Sequence, residues 1–461
     1  INHGAEYYAT PENDWAAVVQ PHLPSQILPQ GRQALWQFYE GSPAGHIPWE
    51  VWAKPLLWWG IFALALFLTM ACIMVILRRQ WVENERLAYP MVQLPLAMLA
   101  DDERDSVIKP LFRNPLMWAG FAIPFTMGSI NALHNYFEFV PTVVANLPSI
   151  PILRGMASIQ LTLSASMVGF SYFVPVNIAA GLCFFYLLTT VQRGLWGLVG
   201  WGDKEDAMGA YSQYTEPDII HEAMGGMIVL VIGTLWIGRH HLRDVFRKAL
   251  LDAEDVNDDD EIISYRRAVL GAMVGLLVMG VWLVATGMPP LLVPLLLGVA
   301  FIIFIGLSRV VAESGIPAII SPMVAPDFMV YGLGSKLLGT QAIANFSVSY
   351  IFATDIRVFL MGVCANGLKL VEGMTKKARR YVFWAIMIAI VVGMAGSLYT
   401  ILEASYRDGG INTSGWFFKG MPKIILSTVE TGIEESGVYW PGIGFMGLGG
   451  AGMLALTWLR Q

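Results

Sequence analysis

Apolar residues run along this chain in stretches of about twenty, the length a helix needs to cross a bilayer, and short polar segments separate them. The pattern predicts spans at roughly 55–78, 115–137, 156–173, 176–196, 219–240, 266–286, 288–308, 380–401 and 440–459. Nine spans of this kind give an all-α fold, a polytopic helical membrane protein. Two regions break the pattern. After the first span, "RRQWVENERLAYPMVQLPLAM" (78–98) sets a dense group of charges before two prolines, and between 315 and 368 the apolar pieces are too short to span singly. These regions predict re-entrant or broken helices beside the full spans.

The polar connections orient the spans. Three of them are basic, holding Arg78, Arg79, Arg86, Arg104, Lys109 and Arg113; then Arg239, Arg243, Arg247, Lys248, Arg266 and Arg267; then Lys369, Lys376, Lys377, Arg379 and Arg380. Lys and Arg in short loops mark the cytoplasmic side. All three share that side if 156–196 divides into two helices around "FVPVN" and 315–368 enters and leaves on the same side. The expected organisation is an exterior aromatic and Pro-rich cap (1–54), a first membrane bundle (55–240) and an acidic cytoplasmic loop (241–265). A second bundle (266–461) follows, with a hairpin at 315–368 and an exterior loop at 402–439, where a short amphipathic helix or an ordered loop fits equally. The start "INHGAEYY" lacks Met, so the chain is expected to be processed or part of a longer polypeptide with earlier spans.

Composition agrees with lipid as the main solvent: 55% of residues are hydrophobic and 14% charged, with mean hydropathy +0.55. The net charge of -6 comes partly from "DAEDVNDDDE" (252–261), read as a solvated loop, and supplies no argument for nucleic acid as a partner. Cys72, Cys183 and Cys364 lie in apolar segments without metal-ligand spacing, so neither a disulfide framework nor a metal site is expected.

The opening break has an echo. In "SRVVAESGIPAIISPMVAPDF", Arg309 and Glu313 repeat the spacing of Arg79 and Glu83, while Pro317 and Pro322 repeat that of Pro90 and Pro95. Residues four apart share a helix face, so each Arg and Glu can pair, and the prolines with Gly315 stop the helix. Interrupted apolar segments at corresponding places are the sequence pointer to a transporter's central site. Glu83, Tyr89, Pro90, Glu313, Ser314, Gly315 and Pro317 are the candidates, within an internal repeat expected to be of the inverted kind. Interfacial anchoring by the charges and simple helix termination by the prolines is the plainer alternative.

In "LLGTQAIANFSVSYIFATDIRVFLMGVCANGLKL" (337–370), Asp355 and Arg357 stand between two short apolar pieces. An ionisable residue at membrane depth is a functional candidate by default, and Asn345, Ser347, Thr354 and Asn366 add oxygens near it. An exterior turn joining two short spans is the alternative. Earlier in the chain, Asn131, His134, Asn135 and Glu138 recur at helical spacing. Of these, Asn131 and His134 are candidates for the ion path, with a structural role for His134 as the competing reading.

Catalytic signatures fail on inspection. "HEAMG" puts Gly225 where a second zinc-binding His belongs, and "GIGFMG" (442–447) opens an apolar helix instead of following a strand. No phosphate loop or nucleophile elbow is present, so an enzyme is not expected and no cofactor is implied.

"YYATPENDW", "PHLP", "FYEG", "IPWEVW", "RRQWVENERLAYPMVQLPLAM" and "RVVAESGIP" resemble an uncharacterised family of large bacterial polytopic membrane proteins, over most of the chain. "ERLAYP" and the two-part organisation are distantly similar to the oligopeptide transporter superfamily. That resemblance implies ion-gradient-driven transport of peptides or metal chelates, and the function expected of the chain is secondary transport of a small solute (peptide-like, metal chelate or organic anion) across the bacterial inner membrane. The expected partners are the lipid bilayer, a small-molecule substrate, a coupling ion, and a homo-oligomer or larger complex. A non-transporting subunit of a membrane complex is the competing function.

Overall fold

The computed structural model describes residues 3–43, 45–99, 109–143, 147–201, 217–316, 319–353, 360–433 and 437–459. Helix α1 (Trp49–Arg79) carries the first apolar run, and α2 (Pro90–Leu99) follows its break. Then come α3 (Pro115–His134), α4 (Val176–Val199), α5 (Pro217–Ile237), α6 (Arg239–Leu251), α7 (Tyr265–Ala285) and α8 (Val293–Ser314). The chain continues through α9 (Ala325–Leu333), α10 (Thr340–Ala353), α11 (Leu360–Leu370), α12 (Lys376–Asp408), α13 (Met421–Ile433) and α14 (Trp440–Leu459). Among the described residues eight helices are long and apolar enough to cross a membrane. The all-α polytopic reading stands.

One of the nine expected spans, 156–173, is not a helix. Ile150–Ile152 (β1) and Ala157–Ile159 (β2) form an antiparallel hairpin, and only Ala165–Ser171 is helical, capped by the Ser164 side chain. Gly155 at φ +85° and the alternating Ser and Thr residues favour turn and extended backbone over helix here. The segment still runs antiparallel to α4: Leu153 lies on Gly194, the Gln160 N–H reaches the Tyr186 hydroxyl at 3.1 Å, and Pro175 precedes the α4 start.

Small residues set the closest helix pairs, because without a Cβ two backbones approach where Leu would hold them apart. A Cβ on Gly275 of α7 would stand 2.1 Å from Thr69 Oγ1, and one on Gly271 would stand 2.8 Å from Cys72 Sγ, which fixes α1 and α7 as antiparallel neighbours. Helices α5 and α14 run parallel and closer still, with Gly225 against the Met446 carbonyl and Gly449 against that of Glu222.

The basic connections meet at one edge of the bundle. Arg78 pairs with Glu261, Arg79 donates to the Asn257 carbonyl at 2.9 Å, and Arg379 donates to that of Asp260 at 3.4 Å. The acidic stretch is therefore not simply a solvated loop: Glu261 is buried, and Asp258 accepts the N–H of Tyr265 at 2.8 Å. At the opposite, cap edge, Leu35, Phe38 and Tyr39 pack on Trp52, Tyr406 and Phe418. Trp15 donates to Glu430 at 2.7 Å, which ties the N-terminal segment to α13.

Region 315–368 leaves the basic edge and returns to it in two crossings, the first of which begins with a non-helical stretch. From Gly315 the described part of 316–324 is non-helical; α9 then brings Tyr331 to the cap edge, where its carbonyl accepts the Tyr439 N–H at 3.0 Å. Helix α10 begins beside the cap, Gln341 contacting His22 at 2.9 Å, and α11 ends near the Lys369–Glu372 pair at the basic edge. Helices α1 and α8 both run from cap edge to basic edge, so the echoed motifs belong to parallel elements. The inverted relation expected from sequence does not hold for them.

Candidate functional site

The two echoed breaks touch. Helix α1 passes through a π-turn (Gln80–Asn84) and loses its helical path at Glu85, and Tyr89 sits at φ +44° immediately before Pro90. Helix α8 stops at Gly315, φ +71°, a left-handed C-cap that glycine adopts without strain. The Tyr89 N–H donates to the Ala312 carbonyl at 2.9 Å, satisfying one of the acceptors a helix end leaves open. Pro90 lies flat on Gly315, and a Cβ there would come within 2.6 Å of the ring.

The predicted Arg–Glu pairs form, at 3.2 Å for Arg79–Glu83 and 3.5 Å for Arg309–Glu313. Each break also holds a second pairing that spacing did not reveal. Arg78 grips Glu261 through two contacts of 2.9 and 3.0 Å and reaches Glu83 at 3.1 Å, while the Tyr265 hydroxyl donates to Glu261 at 3.1 Å. Arg309 crosses to Glu85 of the other break, in a contact that is ionic and not an aligned hydrogen bond. Its guanidinium lies 5.7 Å from the Trp81 ring, close enough for a cation–π contribution. Gln80 donates to Glu85 at 2.9 Å and so fixes that carboxylate. Burial pushes the Tyr89 hydroxyl well above its ordinary range, against smaller opposing pulls from Arg309 and Arg78, and keeps it neutral.

Inside the bundle the two crossings of region 315–368 carry a second set of polar groups. Asp327, in the first turn of α9, is buried and accepts from the Tyr350 hydroxyl of α10. Ser314 caps its own break, accepting the Ile316 N–H at 3.2 Å. Asn345 donates to the Gln341 carbonyl at 3.1 Å and Ser347 to that of Ala344 at 2.6 Å. The Asn345 Oδ1, Ser349 Oγ and Asn366 Oδ1 atoms are buried with no hydrogen-bond partner, as is Trp81 Nε1 under Arg309. A buried polar atom left unmade costs about 1–3 kcal/mol. Among the described residues, every such atom belongs to α10, α11 or the junction of the two breaks.

The structure therefore brings Glu83, Tyr89, Pro90, Glu313, Ser314 and Gly315 together at one junction, whereas Asn345 lies apart from it, one turn into α10 beside the cap-side Gln341 and Gly287. Pro317, Thr354, Asp355 and Arg357 lie outside the described residues. Asn131 and His134 are elsewhere. Asn131 exchanges both bonds with Val143, at 2.7 and 3.2 Å, and His134 Nδ1 contacts the Val140 carbonyl at 2.6 Å. Both shape the turn after α3, a helix with no buried residue, and neither joins the junction. Asp327 was the residue sequence reading missed. Its signal was present in "APDF", an acid in the first turn after a helix-starting proline.

No group of three or more His, Cys, Asp or Glu residues able to hold a metal ion occurs among the described residues. The chain matches no curated protein and no solved structure. Its sequence does match the model of a family of unknown function, DUF6785, across residues 2–461, and the chain belongs to that family.

Proposed function

We propose that the chain is a secondary transporter of a small solute, with the two crossings of region 315–368 and the joined breaks as its moving parts. One observation carries this reading: the buried polar atoms without partners collect on these elements. In a rigid structural subunit such atoms are a standing cost with no return. In a transporter they are coordinating groups that a solute, an ion or water satisfies during part of the cycle. The distant resemblance carried by "ERLAYP" supports a peptide-like or metal-chelate cargo; an organic anion is the further class we propose, with the bacterial inner membrane as the setting.

The non-transporting alternative rests on a different observation. Helix α3 buries no residue, α4 buries only Thr190 and Gly194, and α14 only Gly442 and Gly450, so broad apolar faces stand open to lipid or to other subunits. Purified protein in sealed vesicles separates the two. Uptake of labelled peptides, metal chelates or organic anions under an imposed ion gradient, above that of empty vesicles, supports transport. Uptake equal to empty vesicles across all three classes overturns it in favour of the subunit reading.

A further inference from the structure

The carboxyl of Asp327 is 3% exposed as a residue and bonded to a hydroxyl, not to a cation. Helix α9 packs against α8, its short neighbour Ser335–Leu338, and α10. The ionisable side chains on these elements and on α9 itself are Arg309, Glu313, Lys336, Tyr350 and Tyr331. Arg309 is taken up by Glu85 and Glu313 at the basic edge, and Lys336 is exposed. No Lys, Arg or His among the described residues pairs with Asp327. Asp355 and Arg357 lie outside the described residues.

A carboxylate moved from water into such surroundings loses far more hydration than one hydroxyl returns, and the group escapes the cost by keeping its proton. The helix N-terminus and the Tyr350 hydroxyl favour the anion, but these are partial charges set against removal of a full one from water. The pair also joins α9 of one crossing to α10 of the other. A change in their relative position alters the contact directly.

We propose that Asp327, hydrogen-bonded to Tyr350, is a proton-binding site that couples the two crossings to a proton gradient. With the crossings together, Oδ2 carries the proton and Oδ1 accepts from Tyr350. When they part and water enters, the Oδ2–H bond breaks, the proton passes to water, and the carboxylate left behind is solvated. The coupling role rests on the transport reading above. The proton site itself does not.

Infrared spectroscopy of the purified protein in lipid tests the site without any cargo. At neutral pH the wild type is expected to show the carbonyl stretch of a protonated carboxylic acid, absent from Asp327→Asn and shifted in frequency in Tyr350→Phe, which removes the hydrogen bond but keeps the acid. Titration to alkaline pH should abolish the band in the wild type. Two results overturn the proposal: a spectrum in which Asp327→Asn removes no protonated-acid band, or, should that variant misfold, a wild-type acid band that Tyr350→Phe leaves unmoved. A band that behaves as expected in a protein without uptake would defeat the transport reading and leave the proton site standing.

Discussion

Arg309 of α8 reaches across to Glu85, the residue at which α1 loses its helical path, and lies over the ring of Trp81. The two breaks are thus held by a charge pair as well as by the Tyr89–Ala312 backbone bond. Both side chains are close to nine-tenths buried, at 10% and 13% exposure. Glu85→Gln leaves the guanidinium with Glu313 alone and is expected to cost on the order of 3 kcal/mol. Arg247→Gln, which breaks an exposed pair with Asp255, should cost less than about 1 kcal/mol. Denaturant unfolding in detergent micelles measures both, and equal costs would mean that the cross-break pair is not buried in solution.

Gly315 is held by two constraints, its left-handed backbone and the face of Pro90. Gly315→Ala should lose roughly 1–3 kcal/mol through strain at that backbone conformation. Gly332→Ala, in α9 with open space at its Cβ, should not destabilise, and helix propensity should raise stability by up to about 1 kcal/mol. A drop in melting temperature confined to the first variant is the expected result.

The close pair α5–α14 predicts a similar contrast. Gly225→Ala would put a Cβ 1.9 Å from the Met446 carbonyl oxygen, so the helices must separate along their contact, at a cost of about 3 kcal/mol or more. Gly233→Ala and Gly447→Ala meet nothing within 4 Å and should leave stability equal or raised by up to about 1 kcal/mol through helix propensity. Size-exclusion profiles and thermal unfolding of the three variants provide the comparison.

Ser349 offers a separation of function from stability. Its buried hydroxyl has no partner, so Ser349→Ala removes a desolvation cost and should leave stability equal or raised by up to about 1 kcal/mol. Uptake by the same variant is expected to fall severalfold if the hydroxyl coordinates cargo or ion. A variant that is destabilised and fully active would show that Ser349 is a packing residue.

Sidedness follows from the basic edge. In a Cys183→Ala background, which leaves only the buried Cys72 and Cys364, Glu12→Cys in the cap should react with an impermeant maleimide in intact cells. Asp255→Cys in the acidic connection should react only after lysis. The reverse pattern would invert the topology.

Much of this fold was legible in the chain because a bilayer-length apolar run has one stable outcome, a helix whose backbone satisfies itself. The same rule failed at 156–173, where hydropathy is adequate but Ser158, Thr162 and Ser164 offer the backbone competing partners and Gly155 releases it from helix. The Arg–Glu pairs four apart were readable because they are local. Arg309–Glu85 and Arg78–Glu261 were not, since nothing in spacing reports which distant helix will lie alongside. Asp327 was overlooked for a related reason: a carboxylate after a proline reads as a helix start, and only the approach of α10 makes it a buried group. His134 misled in the opposite direction, being polar at a span's end but turned to its own loop.

The contact of Asp218 with Tyr439, 2.7 Å across a separation of 221 residues, bears on how the protein is made. Helix α5 is synthesised with a strip of bare backbone at Gly225 and a carboxylate near its start, and the helix that covers the strip is the final one described. Throughout translation of the intervening chain, α5 resides in the bilayer as an unfinished surface. A nascent chain that ends before residue 440 should therefore remain bound to insertion or quality-control machinery. Supplying α14 as a separate peptide should release it.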